Sequence, residues 1–538
     1  MYNDSILLQG DVAMMGQEQN QRKLFYYNVN LEGRLRIDHP LRRINEIVDF
    51  DFIYAEVKDK YGSRGNVSIP PSVILKMLLL LVFYNVRSER ELMATIPERL
   101  DWLWFLGYDL DSDIPNHSVL SKARKRWGVE AFRTFFERIV WQCVEAGLVD
   151  GTKIFMDSSL VDANASTNSV IDTKSLRHQL KKNFKQLEAR LEESNDFSRT
   201  HGPHSEANKR YISSTDPDAA IVRRGKPKLR HHVHRAVDEK NEIITATRTT
   251  PGDVNEAHEM INLVEQSEEI TQIEVETVVA DSKYGTIENF LSCHDRNIQA
   301  HIPDLNQTKG RQKRRTIFGE DRFRYDPEED VYYCPAGQVL KRRALHKKRK
   351  SADYGAPRKM CAACELREHC TKNKSGRTIK RHLRQNELDK MRQASNSAKA
   401  KRDIKTRQHL MERSFARGQR LGMKRARWRR LWRMEIQEYL TCAIQNIQVL
   451  ISRVGPGKKA AINAVSIQNK ETSPLPCKTG GIPLGRFSAD ILQRTEKVRG
   501  MLIQTICPES VCYELAIGYM QQNSFGQQPD YCQHGENS

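Results

Sequence analysis

The pattern of apolar positions divides the chain into a helical first part and a strand-rich second part. Between Ile44 and Ala146, apolar residues recur every three to four positions, as in "PSVILKMLLLLVFYNV" and "SVLSKARKRWGVEAFRTFFERIVWQCVEAG". This spacing is typical of packed helices. We therefore predict a helical domain over residues 44–150, preceded by an irregular arm over residues 1–43.

From Lys153 onward, short apolar runs bounded by turns predict strands. The predicted order is three strands ("KIFMDSSLV", "HHVHRAVD", "EIITATRTT"), a helix, the strand "IEVETVVAD", a helix and the strand "IQAHIP". This order indicates an α/β fold of the mixed α+β kind, in which helices cover the faces of a mixed sheet. Active sites in such sheets gather at the carboxyl ends of parallel strands.

Two segments interrupt this predicted catalytic domain, which we assign to residues 151–308 and 386–454. A charged stretch that begins at Thr173 has leucines along one stripe and predicts an inserted amphipathic helix. Residues 309–385 are rich in lysine, arginine and cysteine and predict a small insertion. Residues 455–538 are predicted to form a linker and a tail, to which the pattern assigns no role.

The charge of the chain favours polyanionic partners. The 538 residues carry 87 Lys and Arg against 68 Asp and Glu, a formal net charge of +19. Nucleic acid is the first expectation from such a balance and an anionic membrane surface the second. The longest apolar run, Val73 to Tyr84, is interrupted by Lys76 and is too short to span a bilayer. The first residues lack the pattern of a secretory signal, so a cytoplasmic location is expected.

Two aspartates in the first predicted strand differ in their expected roles. Asp157 lies in mid-strand with apolar neighbours on both faces, where an ionised carboxylate needs a cation or strong donors. Asp162 is five positions further on, an odd separation that turns it to the opposite face of a strand. We therefore choose Asp157 as the functional acid and expect Asp162 to be a loop or structural residue.

Two further acids occur at positions compatible with a metal site. Asp281 ends the strand "IEVETVVAD" beside a glycine-containing turn, although an aspartate there more often only caps the turn. Glu412 is the single acid among nine basic residues between Met411 and Arg433. The alternative for Glu412 is a simple ion pair with Arg413 or Arg417. Trp428 and Trp432 are expected to be core residues rather than stacking platforms for bases.

Four cysteines in the insertion have the residue types of a structural zinc site. They are Cys334, Cys361, Cys364 and Cys370. A tetrahedral zinc ion takes four thiolates, and a C-x-x-C pair supplies two of them. Buried free thiols or an iron–sulfur cluster are the alternatives.

The order and spacing of these segments resemble the DDE transposases of bacterial insertion sequences. The closer resemblance is to the group numbered eleven eighty-two, over about residues 38 to 453. The matching motifs are "IFMDSSLVDANAS", "STDPDA", "RHHVHRAVD", "TTPGDVNEAHEM", "VVADSKYGTIENF" and "MERSFARGQRLGMKRARWR". Departures occur after the first aspartate, where Ser158-Ser159 replaces the usual pair, and near Glu412, where Gln419 or Arg420 stands in place of a lysine.

The resemblance implies an RNase H-like catalytic domain, with Asp157, Asp281 and Glu412 as ligands of two Mg²⁺ or Mn²⁺ ions. In that chemistry two ions about 3.5–4 Å apart activate the attacking oxygen and stabilise the leaving one. It also implies terminal inverted repeats and target DNA as partners and a homodimer that joins two ends. A short basic helix in the helical domain and the basic segment around Glu412 are expected to contact DNA, although a solvated charged face is an equal alternative for the helix. The expected DNA-binding residues are Lys122, Arg124, Lys125, Arg126, Arg417, Arg420, Lys424 and Arg425.

Two other functions are compatible with the same sequence. An inactive or domesticated DNA-binding protein would use the helical and cysteine-rich parts alone, and an RNase H-like nuclease would hydrolyse DNA without joining it. The complete set of three acids favours the transposase, whose cut-and-paste reaction hydrolyses a phosphodiester and then transfers the freed strand.

Overall fold

A computed structural model describes residues 30–62, 66–172, 208, 210–223, 226–303 and 317–454. The predicted helix that begins at Thr173 and the tail after residue 454 lie outside these residues. Among the described helices, none is both long and apolar enough to cross a membrane.

The first described part is helical, as predicted. Its helices are α1 (Leu31–Arg34), α2 (Pro40–Ile47), α3 (Phe52–Val57), α4 (Pro71–Phe83), α5 (Glu89–Thr95), α6 (Leu100–Leu106), α7 (Ser118–Trp127) and α8 (Glu130–Glu145). Helix α4 is buried on nearly all sides, which explains its continuous apolar run. The predicted irregular arm is helical in its described part, where α1 is capped by the Asn30 side chain and α2 starts with a proline.

The second part contains a mixed sheet whose longest strands are central. Its strands are β1 (Lys153–Asp162), β4 (Ala220–Val222), β5 (Lys228–Asp238), β6 (Ile244–Pro251), β7 (Thr277–Val279) and β8 (Gln299–His301). A separate small pair is formed by β2 (Val170–Asp172) and β3 (Tyr211–Ser213).

The strand pairing of the mixed sheet is that of an RNase H-like fold. Strand β5 lies antiparallel between β1 and β6, whereas β7 and β8 continue the sheet on the other side of β1 in parallel. Helix α9 (Met260–Thr271) connects β6 to β7, and α10 (Ile287–Asp295) connects β7 to β8. The predicted order of the longer strands and helices is therefore confirmed, and the fold is mixed α/β as expected.

The cysteine-rich insertion forms a second sheet with its own small core. Its strands are β9 (Arg324–Asp326), β10 (Val331–Tyr333), β11 (Val339–His346), β12 (Ser351–Gly355) and β13 (Thr378–His382), and its short helices are α11 (Arg358–Ala362) and α12 (Arg367–Cys370). Each strand is antiparallel to its neighbour. The core packs Phe323, Tyr332, Leu340 and Tyr354 together.

Three helices follow the insertion: α13 (Gln385–Ser395), α14 (Ala398–Arg420) and α15 (Leu431–Arg453). The segment from Leu421 to Arg430 separates α14 from α15, so Trp428 lies between the two helices and Trp432 lies on α15. Trp428 and Trp432 pack against the main core, as expected. Both α14 and α15 lie against the mixed sheet, and α15 also packs on α8 and α4, so the helical part and the sheet share one core.

Candidate active site

The register of β1 and β7 brings Asp157 and Asp281 alongside each other. Phe155 pairs with Val279 in parallel, and each aspartate follows two residues later on its own chain segment. Side chains two residues apart along an extended chain share a face, and Phe155 and Val279 both belong to the core under α14 and α15. Asp281 therefore lies just beyond the carboxyl end of β7, the edge at which an active site is expected, and Asp157 lies beside it in the middle of β1.

Asp157 is partly buried and is compensated by protein groups. Its Oδ2 accepts a hydrogen bond from Nη1 of Arg407 at 2.8 Å, and its Oδ1 accepts one from the Ser158 amide at 2.8 Å. Burial raises the pKa of Asp157 above its ordinary value, Arg407 opposes that rise, and the charge of Asp281 adds to it. Two carboxylates that repel each other in a partly buried site are the ligands that a hard divalent cation prefers.

Asp281 also caps a turn, the role predicted as the alternative to metal binding. Its Oδ1 accepts a hydrogen bond from the Lys283 amide at 2.8 Å, at the start of a short 3₁₀ helix, Ser282–Tyr284. Such a bond leaves the other carboxylate oxygen for further interactions. Capping and metal binding are therefore compatible at this residue.

Asp162 has the structural role expected of it. Its carboxylate binds Nζ of Lys228 at 2.8 Å and Nε of Arg230 at 2.9 Å. Burial raises the pKa of Asp162, but the hydrogen bonds from these two cations outweigh burial and lower it overall. Its backbone N–H donates to the Lys424 carbonyl and its own carbonyl accepts from the Ala426 amide, so Asp162 fixes the segment that follows α14.

Helix α14 carries Glu412 but turns other residues toward the sheet. Asp403 accepts from Lys153 and His301, Arg407 binds Asp157, and the Ser414 carbonyl accepts from Arg235. Glu412 is exposed, and its Oε1 accepts a 3.5 Å hydrogen bond from Gln408. The alternative prediction, an ion pair of Glu412 with Arg413 or Arg417, is wrong, because both arginines bind Glu242.

Sequence reasoning missed the second layer of the site, which is built around Glu256. This residue lies on a short 3₁₀ helix, Glu256–Glu259, is 5% exposed, and binds Ser158 and Lys283. Burial raises the pKa of Glu256, but the hydrogen bonds from Lys283 and Ser158 outweigh burial and lower it overall. Its segment, "TTPGDVNEAHEM", is one of the motifs that carry the resemblance, but one turn of 3₁₀ helix has no apolar period from which burial can be inferred.

The four cysteines of the insertion surround one cavity. Cys334, Cys361, Cys364 and Cys370 line it together with Phe323, Leu340 and Met360, and all four are free thiols. The Gln338 amide donates to Sγ of Cys334 at 3.3 Å, an interaction that stabilises a thiolate. Burial raises the pKa of Cys370, and the other three cysteines add to that rise, so the thiols are close enough to repel once ionised.

One other group of potential metal ligands occurs within the described residues. The ligand atoms of His294, Asp295 and Glu387 all lie within 4.8 Å of one another. The four cysteine sulfur atoms do not all lie within this distance of one another. Arg384 already pairs with Asp295 and Glu387, so this group is neutralised without a metal. It therefore represents a surface ion-pair network.

The structure divides the predicted DNA-binding residues into three classes: exposed, buried and partly exposed. Lys122, Lys125 and Arg126 on α7 are exposed, as are Arg420, Lys424 and Arg425. Arg124 is only 3% exposed, pairs with Glu89 and stacks on Trp428 at 4.0 Å, so it cannot reach a DNA backbone. Arg124 was therefore predicted wrongly: its position on the buried face of α7 makes it a core contact. Arg417 is partly exposed and paired with Glu242.

Comparisons with known proteins agree with this architecture. Residues 29–126 match the family described as Transposase domain (DUF772), and residues 333–451 match the family described as Transposase DDE domain. The second match contains Glu412 and the four cysteines, whereas Asp157 and Asp281 lie outside both matches. No curated protein matches the chain.

Among solved structures, the chain is similar to a piggyBac transposase synaptic complex with hairpin DNA, determined by cryo-EM. The identity is 10%, and the alignment covers 89% of this chain and 87% of that chain. The TM-score is 0.29, which is too low to establish a shared fold. The two family matches carry the assignment. The chain thus contains a transposase domain and a transposase DDE domain, the domains of a DNA transposase that acts as a metal-dependent polynucleotidyl transferase.

Proposed function

We propose that the protein cuts DNA at the terminal inverted repeats of its own insertion sequence and joins the freed ends to target DNA. The observation that supports this most is that Asp157, in the middle of β1, lies beside Asp281, which follows the carboxyl end of β7. Both acids offer hard oxygen ligands, which suit Mg²⁺ or Mn²⁺. Bound there, two such ions would activate the attacking oxygen and stabilise the leaving one.

Glu412 is proposed as the third carboxylate. It lies on α14 five residues after Arg407, the residue that contacts Asp157, so the helix that supplies it is already anchored at the site. Its side chain is exposed and is therefore accessible to a metal ion and to DNA. Arg407 holds the Asp157 carboxylate in place by a charge-assisted hydrogen bond.

The exposed and partly exposed cations of three segments are proposed to bind DNA phosphates. The first segment is α7 in the helical part, with Lys122, Lys125 and Arg126. The second comes after Glu412 in the sequence and contains Arg417, Arg420, Lys424 and Arg425. The third segment is the turn between β11 and β12, where Lys347, Lys348, Arg349 and Lys350 are all exposed. Backbone contacts of this kind contribute affinity that depends on salt and carry little sequence information.

A structural zinc ion is proposed for the insertion, with Cys334, Cys361, Cys364 and Cys370 as ligands. The common cavity and the amide hydrogen bond to Cys334 fit such a site. Gly376 supports the same arrangement, because its backbone has a φ of +93° and an added Cβ would lie 2.8 Å from Sγ of Cys361. The loop therefore approaches this sulfur as closely as a glycine allows.

Residues 44–150 are proposed as the DNA-binding domain, residues 151–308 and 386–454 as the catalytic domain, and residues 309–385 as the zinc-binding insertion. Joining two ends of one element requires two active sites, so a homodimer is proposed for the complex with DNA. The proposed location is the cytoplasm, in contact with the nucleoid, where the DNA substrate lies.

A strand-transfer assay separates this function from its alternatives. The purified protein is incubated with Mn²⁺, a labelled duplex that ends in the element's terminal repeat, and a supercoiled target plasmid. The proposal predicts both a nick at the repeat end and labelled plasmid from joining. Nicking without joined plasmid would indicate a nuclease, and binding without nicking would indicate an inactive DNA-binding protein; either result contradicts the proposal.

A further inference from the structure

Glu256 connects the two chain segments that carry the candidate catalytic aspartates. Its Oε2 accepts a hydrogen bond from Oγ of Ser158, the residue directly after Asp157. Its Oε1 binds Nζ of Lys283, whose own amide donates to Asp281. One buried carboxylate is thus bonded on one side to β1 and on the other to the turn after β7.

The surroundings of Glu256 keep its carboxylate in this position. Asn255 caps the 3₁₀ helix by accepting a hydrogen bond from the Ala257 amide at 3.2 Å. Nδ2 of Asn289 donates to the Ala257 carbonyl and to the Tyr284 carbonyl, both at 2.9 Å. The same asparagine therefore connects the 3₁₀ helix of Glu256 to the 3₁₀ helix that Asp281 begins.

The three carboxylates also surround a common neighbour. Tyr284 is fully buried, and its pKa is raised well above its usual value by burial first and then by the charges of Glu256, Asp157 and Asp281. Nε2 of His232 lies 4.0 Å from Oε2 of Glu256. Glu256 thus belongs to the same polar cluster as the two aspartates, while its own oxygens are occupied by Ser158 and Lys283.

We propose that Glu256 is a positioning residue that sets the separation of Asp157 and Asp281 and thereby the affinity of the site for divalent cations. This inference rests on the proposed function of the two aspartates and adds a residue to it. A group bonded to both ligand-bearing segments acts as the outer partners of metal ligands do, and loss of such partners weakens metal binding about 10- to 100-fold.

The test compares Glu256→Gln with Glu259→Gln. Glu259 lies on the same 3₁₀ helix, is 2% exposed and is paired with Arg248 at 2.9 Å, so it matches Glu256 in burial and charge but contacts Arg248 rather than Ser158 or Lys283. Mn²⁺ binding to the full chain is measured from the signal of free Mn²⁺ in electron paramagnetic resonance. DNA affinity is measured by fluorescence anisotropy, and stability by the thermal midpoint.

For Glu256→Gln, we expect Mn²⁺ affinity to fall about 10- to 100-fold, while DNA affinity stays within about twofold of wild type. Glu259→Gln should retain the wild-type Mn²⁺ affinity even if its thermal midpoint falls as far as that of Glu256→Gln. Equal Mn²⁺ affinities of the two variants would overturn the proposal. Complete loss of Mn²⁺ binding in Glu256→Gln, with an unchanged midpoint, would also overturn it, because Glu256 would then be a ligand.

A further variant keeps the inference separate from the proposed function. Ser158→Ala removes one of the two bonds to Glu256, so its loss of Mn²⁺ affinity should be smaller than that of Glu256→Gln. The double variant Ser158→Ala, Glu256→Gln should bind Mn²⁺ no more weakly than Glu256→Gln alone. Fully additive losses would contradict a shared role. Absence of Mn²⁺ binding in the wild-type chain would instead refute the proposed function.

Discussion

Loss of either partner of the buried ion pair between Arg235 and Glu438, which lies beside the candidate active site, should cost several kcal/mol of stability. Arg235 lies opposite Asp157 on β5 and is fully buried, and Glu438 on α15 is 1% exposed. Nε of Arg235 donates to Oε1 of Glu438 at 2.6 Å, and Nη1 donates to the Ser414 carbonyl at 3.2 Å. The pair thus joins β5 to α14 and α15.

Replacing one partner leaves the other charge buried without compensation. For Arg235→Met, which retains most of the side-chain volume, we expect the free energy of unfolding to fall by about 3–5 kcal/mol. Glu438→Leu should cost a similar amount, because the guanidinium then keeps only neutral acceptors. The double variant should lose less than either single variant, because an apolar pair of similar volume removes both desolvation costs.

The assay is a double-mutant cycle in urea, followed by tryptophan fluorescence and by far-UV circular dichroism. The expected coupling energy is about 3 kcal/mol or more, compared with the scatter of about 0.5 kcal/mol for independent sites. Losses that add within that scatter would refute the reasoning, because they would mean that the two charges do not compensate each other.

Three further predictions follow from other sites. Burial, modified by nearby charges, raises the pKa of Glu435 to about 7 from an unfolded value of 4.5, so stability falls as the pH rises through this interval. In urea titrations, Glu435→Gln should be more stable than wild type by up to about 3 kcal/mol at pH 8 and within about 1 kcal/mol of it at pH 5. Equal differences at both pH values would contradict this, and the exposed Glu288→Gln, whose charge is not among those that shift Glu435, serves as control. Cys361→Ser should lower the zinc content from one atom per chain to none by atomic absorption, and retention of zinc would exclude this thiol as a ligand. Glutamine at all four positions 347–350 should reduce the slope of log affinity for DNA against log salt by about 2 to 4, whereas an unchanged slope would mean that this turn makes no phosphate contacts.

The sequence predicted the elements with a regular apolar period better than it predicted the site. The order of the longer strands and Asp157 as a compensated strand residue were predictable, because burial on a strand or helix face follows a fixed spacing. The partners of Asp162 and Arg124 were not predictable, because strand register brings Arg230 to Asp162 and helix packing brings Glu89 to Arg124. The same holds for Glu256, whose partners are 98 and 27 residues away.

We expect Asp157 to belong to the catalytic centre and Asp162, on the same strand, to lie outside it. The most direct measurement is Mn²⁺-dependent cleavage of a terminal-repeat duplex by Asp157→Asn and Asp162→Asn, each checked for folding by circular dichroism. We expect no detectable cleavage by Asp157→Asn and clear cleavage by Asp162→Asn, with at most a loss of stability from its broken ion pairs. Cleavage by Asp157→Asn at the wild-type rate would contradict this expectation.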